Sequence, residues 1–274
     1  MNRILRFFSS VWRVQNASRM WALLSQLTWR NFALQHRGSY LGLAWSVISP
    51  LMIFGVYAFV FIAIFHGRYG VVPTERDADY AIGLLLSLTL LQLIQEVLAV
   101  TPYAVLQNAN YVKRVVFPLA ILPAAAFGGA LLRFLVSIAI VLIATLLFGP
   151  PLSAAAWWFP VISLMLCLLS LGLSWFLAAV GVFLRDLGPF TQSFSILLMF
   201  MSGVFYSLKQ IPAHFRFLRF NPILIALECS RGALLWKIAP SSADMIYLGV
   251  VSAGTCVGGY ALFRYLRPAF ADVI

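Results

Sequence analysis

Six continuous apolar stretches, each about as long as a bilayer is thick, constrain this chain more than any motif does. They run approximately Tyr40–Phe65, Tyr80–Val100, Leu119–Phe148, Trp157–Phe183, Gly188–Tyr206 and Met245–Phe263. A hydrocarbon core of roughly 30 Å takes about 20 helical residues to cross. Backbone in lipid must satisfy its own polar groups, which leaves only helices or a closed barrel. A barrel requires alternating apolar and polar residues, and these runs do not alternate. The expected fold is therefore an all-α integral membrane protein with six transmembrane helices. With 62% of its 274 residues hydrophobic and 10% charged, an ordinary water-soluble domain is excluded.

Charge orients the bundle. Residues 1–37 carry Arg3, Arg6, Arg13, Arg19, Arg30 and Arg37 and no acid. Arg19, Arg30 and Arg37 fall on one helical stripe beside the apolar face of Met20, Leu23, Leu24, Leu27 and Leu34. This predicts an amphipathic helix lying in the cytoplasmic interface over 1–37, followed by a single transmembrane domain over 38–274. A cleaved signal peptide fits poorly, because the apolar run comes late and is too long. Lys113 and Arg114, Arg185, and Arg264 with Arg267 fall on the same side, so both termini are expected in the cytoplasm. The net charge of +11 sits at helix ends and loops, which favours anionic headgroups or an anionic substrate over nucleic acid.

Two connecting segments stand out. Residues 107–118 (QNANYVKRVVFP) are a polar, basic interruption between the second and third runs. Asn108 and Asn110 can cap a helix, and Pro118 restrains the backbone before it. The segment 207–244 is too apolar for a loop, and Pro212, Pro222 and Pro240 cut it into lengths suited to re-entrant helices. These are expected around Ile211–Phe220 and Pro222–Trp236, within a re-entrant outer segment of about 207–240, where Arg216, Arg219 and Arg231 would meet phosphate of a substrate or lipid.

Within the spans, Arg133 interrupts the third run, either paired at depth or snorkelling. Glu96 lies near the inner end of the second, from where it can reach the interface. Gly38/Gly42 and Gly254/Gly258 have the small-xxx-small spacing of close helix contacts. Cys167, Cys229 and Cys256 are scattered, as are His36, His66 and His214, and no metal site is expected.

No G-x-x-x-x-G-K-[ST] occurs, so the chain cannot cradle a nucleotide in the P-loop manner. Energy for active transport would enter through another subunit docked near Asn108–Arg114. An ATPase-independent carrier or channel would show inverted repeats, and none is convincing. A membrane enzyme would need a carboxylate or histidine cluster, and the only acid cluster is Glu75, Asp77 and Asp79 in the loop after the first span.

The ordered set RGSYLGLAW (37–45), NANYVKRVVFP (108–118), Arg185-Asp186-Leu187, Asn221-Pro222 and LRPAFAD (266–272) resembles the permease subunit of type-2 ABC exporters of polysaccharide, the O-antigen, capsule and teichoic-acid family. The resemblance implies a coupling helix over about Thr101–Tyr111, within a coupling segment of about 101–114. Its ATPase contacts would be Asn108, Asn110, Tyr111, Lys113 and Arg114. It also implies two copies of this chain with two P-loop ATPase subunits that hold the ATP and Mg, no cofactor in the chain itself, and a bacterial inner-membrane location. The cargo would be a glycan on an undecaprenyl-pyrophosphate-type lipid, with Arg37 meeting the pyrophosphate. Sugars stack on aromatic faces, and Tyr57, Phe59, Phe61, Phe194, Phe200, Phe205 and Tyr206 are expected along such a path. A type-2 exporter of lipid or drug is the related alternative.

Overall fold

The computed structural model describes residues 20–33, 40–112 and 117–273, and among these the regular structure is helical throughout. Helix α1 covers residues 20–33. Helix α2, Trp45–Ala58, continues as a π-helical stretch through Phe59–Ile64. Helix α3, Asp77–Val100, runs on through tighter turns at Thr101–Tyr103 and Leu106–Asn108 to the short α4, Ala109–Val112. Then follow α5 (Ile121–Phe148), α6 (Trp158–Phe183), α7 (Leu187–Met201), α8 (Pro222–Arg231, extended by π-helical Gly232–Trp236), α9 (Ser242–Leu266) and α10 (Phe270–Val273).

Local chemistry explains the ends. Asp79 accepts from the Arg76 backbone N–H at 3.1 Å and from its guanidinium at 2.7 Å, and Asp77 and Asp79 place negative charge at the positive end of α3. Asn221 caps α8 by accepting from the Ile223 N–H at 3.0 Å, with Pro222 in the first turn where a missing N–H costs nothing. Ser241 does the same for α9 by accepting from Asp244 N–H at 3.1 Å.

Among the described residues, five helices are long and apolar enough to cross a membrane: Trp45–Ile64, Asp77–Tyr103, Ile121–Phe148, Ala154–Phe183 and Ser242–Val273. The expected span Gly188–Tyr206 differs. Helix α7 has 15 residues, or about 22 Å at about 1.5 Å per residue, short of a full crossing. It stops because Ser202 leaves helical geometry and Gly203 takes φ +67°, a left-handed conformation that suits glycine. Of the two expected re-entrant helices, the first is an exposed 3₁₀ segment, Ala213–Phe220, and the second is the buried α8 with its extension.

Helix α3 is the centre of the bundle, packed by α5, α6, α7 and α8. Two apolar clusters hold the helices together. A basal one joins Leu27 of α1 to Ala104, Val105, Ile121, Val182, Phe263 and Phe270; a distal one contains Tyr69, Tyr80, Ile162, Leu227 and Trp236. Helices α6 and α9 meet backbone to backbone, because a Cβ on Gly172 would strike Thr255 and Cys256, and one on Gly259 would strike the Gly172 carbonyl. Gly254 and Gly258, the pair picked out by spacing, face open space. Gly42 of the first pair is likewise open, and Gly38 lies outside the described residues.

Candidate functional site

From Leu84 to Ala99 of α3, the partly exposed positions are Leu88, Gln92, Gln95, Glu96 and Ala99, which fall on a single stripe of the helix. The uncovered face of the central helix is thus largely polar. Gln95 donates to the Ser195 carbonyl of α7 at 3.1 Å, and Gln92 donates to Glu96 at 3.3 Å. Arg133 of α5 forms an ion pair with Glu96 at 2.7 Å. Arg133 is therefore paired at depth and does not snorkel, and Glu96 turns into the bundle instead of toward the interface.

One turn beyond Ser195, Met199 accepts from the Tyr57 hydroxyl at 3.3 Å. Around it, aromatic rings from α2 and from the end of α7 gather. Phe61 stacks on Phe205 at 4.2 Å, and Tyr57 and Phe200 lie 5.4 and 5.9 Å from the same ring. The structure thus assembles Tyr57, Phe61, Phe200 and Phe205 next to the amide stripe. Tyr206 donates to the Phe200 carbonyl at 2.7 Å. Phe59 points away and is exposed, and Phe194 stacks on Phe190 at 6.1 Å outside the cluster.

The turn carrying Phe205 is held by buried donors. Buried carbonyls need partners, and Arg231, which is 0% exposed, donates to those of Gly203 at 2.7 Å and Tyr206 at 3.3 Å and to Ser87 Oγ at 3.1 Å. Tyr69 donates to the Val204 carbonyl at 2.8 Å and Tyr80 to that of Phe205 at 3.2 Å. Burial pushes the Tyr69 phenol up, with the Arg231 guanidinium working against that, and the guanidinium lies 4.2 Å over the Tyr69 ring. Glu228 neutralises it at 2.7 Å. Arg231 thus faces inward, whereas Arg216 and Arg219 line a surface groove with Lys209.

At the basal end, Asn108 donates to the Ala104 carbonyl at 2.9 Å and accepts from Arg30 of α1 at 3.1 Å. Asn110 is exposed, and Tyr111 stacks on Phe117 at 4.5 Å. Lys113, Arg114 and Arg37 lie outside the described residues. The segment is seated by glycines. A Cβ on Gly181 would strike the Pro102 carbonyl, and one on Gly188 would strike the Tyr103 hydroxyl. Thr191 of α7 donates to the Leu98 carbonyl at 2.8 Å. A displacement of residues 101–112 therefore reaches α6 and α7 directly. Among the described residues, no three His, Cys, Asp or Glu side chains group to hold a metal ion.

The description of the ABC-2 type transporter family matches residues 22–235, from α1 to the extension of α8. The chain belongs to the ABC-2 type transporter family. This permease is similar to proteins named O-antigen export system permease protein RfbA. One from Klebsiella pneumoniae is 23% identical over 266 residues, covering 94% of this chain and 97% of the relative. A second from the same organism is 22% identical over 261 residues, with the same coverage. A third, from Myxococcus xanthus, is 25% identical over 256 residues, covering 92% and 95%. The permease is a multi-pass membrane protein and a transport subunit rather than an enzyme.

The sequence reading did not single out Gln92 and Gln95. Their spacing with Glu96 in an otherwise apolar span was the available signal.

Proposed function

We propose that this permease moves a lipid-linked, O-antigen-like polysaccharide across the bacterial inner membrane, driven by ATP hydrolysis in a separate P-loop subunit. The observation that carries this reading is the nearly end-to-end similarity to permeases named for O-antigen export. Two copies of each subunit make the working unit, and only Ser46 of α2 is buried within one chain, which leaves that helix free to meet a second copy. The basal end faces the cytoplasm with both termini. Helix α7 and the turn after it complete a sixth crossing, and residues 207–240 form the re-entrant outer segment. Residues 1–37 lie in the interface and 38–274 form the transmembrane domain.

In this reading the ATPase, which holds ATP and Mg, docks on residues 101–114 through Asn108, Asn110, Tyr111, Lys113 and Arg114. Its closure moves Pro102 and Tyr103 against Gly181 and Gly188, and so shifts α7 against α3. The glycan passes between the aromatic rings of Tyr57, Phe61, Phe200 and Phe205 and the amides of Gln92 and Gln95. Rings take the apolar faces of sugars while amides exchange hydrogen bonds with successive hydroxyls. Phe59, Phe194 and Tyr206 flank this path. Arg37 meets the pyrophosphate at entry, and Arg216 and Arg219 meet phosphate at the outer face. Deleting the chain tests the reading: lipid-linked glycan accumulates on the cytoplasmic leaflet, whereas unchanged surface glycan overturns it.

A further inference from the structure

A second feature of the permease lies along α1. The C-terminal half of α1 sits tightly on α5, where Thr28 fills the space beside Gly128 and Asn31 that beside Gly129. Beside this contact lie two adjoining grooves of about 460 Å³ and 380 Å³ that share Trp21, Leu24, Ala124 and Trp175, the larger reaching as far as Thr28 and Gly128. The walls are apolar, running from Ile121 at the basal mouth to Leu132. Eleven helical steps at about 1.5 Å each give about 16 Å, the depth of one leaflet of a roughly 30 Å hydrocarbon core.

One exposed cation, Arg264, stands beside the mouth. Tyr260 lines it and packs edge-on to Trp175 at 5.0 Å, and the Arg264 guanidinium lies 6.0 Å from the Tyr260 ring. Arg264 has no carboxylate partner among the described residues. An exposed tryptophan, Trp21, stands on the opposite wall, as aromatic side chains do at headgroup level. We infer that this groove binds one anionic phospholipid, with an acyl chain along its floor and the phosphate at Arg264. Residues 1–19 of the chain are a poor alternative occupant, since they bring Arg3, Arg6, Arg13 and Arg19 and no acid toward another arginine. A seated lipid wedges α1 against α5 and so supports the Arg30 bond to Asn108.

Photolabelling the full chain in phosphatidylcholine nanodiscs tests this, using phosphatidylglycerol with a diazirine midway along one acyl chain. The expected labels fall within residues 121–132 and 171–175. Ala124→Trp, which fills the groove, abolishes them, and Leu24→Trp does so independently if the first variant misfolds. Arg264→Gln lowers labelling about fivefold, the effect of one cation at an anionic headgroup. Leu146→Trp, on the exposed distal part of α5, leaves it unchanged. Four results would overturn the inference: labels spread evenly over all spans, indifference to both tryptophans, equal labelling by the matching phosphatidylcholine probe, or labelling that appears only after residues 1–18 are deleted. Displacement by polyprenyl phosphate but not by unlabelled phosphatidylglycerol would also overturn it, because the occupant would then be the cargo lipid.

Discussion

Arg133 and Arg231 are two arginines that the protein keeps out of water in different ways. Arg133 is matched by one carboxylate, Glu96, and its Nη1 atom has no partner. Arg231 spreads its two Nη atoms over a carboxylate, a hydroxyl and carbonyls of the turn, while its Nε has no partner. Removing one member of a buried pair costs about 3 kcal/mol or more, while removing both together costs far less. Glu96→Gln is therefore expected to lower the unfolding temperature in detergent clearly, and Glu96→Leu with Arg133→Leu to recover most of it. Arg231→Lys keeps the charge but loses the planar fork, and a loss of about 2 kcal/mol follows from the unsatisfied carbonyls. Arg133 was legible in sequence as an anomaly, but its partner was not. The two residues stand 37 positions apart, and the register between α3 and α5 is set by packing of apolar surfaces that many sequences share.

At the scale of elements, the long helices were legible because bilayer thickness fixes their length, and the observed spans lie close to the apolar runs. Helix α7 was not, because Ser202 and Gly203 sit inside an apolar stretch and only the backbone at Gly203 reveals the break. Glycine spacing also misled: Gly258 and Gly259 are adjacent and point about 100° apart on the helix, yet only Gly259 meets α6. Spacing marks a face; it does not say which face has a neighbour. The seat of residues 101–112 follows the same rule. Gly188→Leu is expected to push Tyr103 away while leaving α7 helical. The variant then inserts and purifies normally but loses most export, read as surface glycan per permease; wild-type export would detach Tyr103 from coupling.

For the whole molecule, the resemblance carried by short ordered motifs agrees with the family that the match over residues 22–235 establishes, while the proposed path rests on contacts visible only in three dimensions. Of the aromatic residues expected along it, Tyr57, Phe61, Phe200 and Phe205 converge, since two helices and one turn bring them together. Phe205→Ala is expected to reduce export about tenfold, equivalent to about 1.4 kcal/mol, while the ATPase still binds, since the ring at the centre of the aromatic cluster is lost. Unimpaired export would place the path elsewhere. The most direct measurement is affinity purification of the tagged permease in mild detergent, with ATPase assay of whatever remains bound. A P-loop ATPase at equal stoichiometry, released by Lys113→Glu with Arg114→Glu, is the predicted result. A transport-active preparation containing no ATPase would contradict the account at its centre.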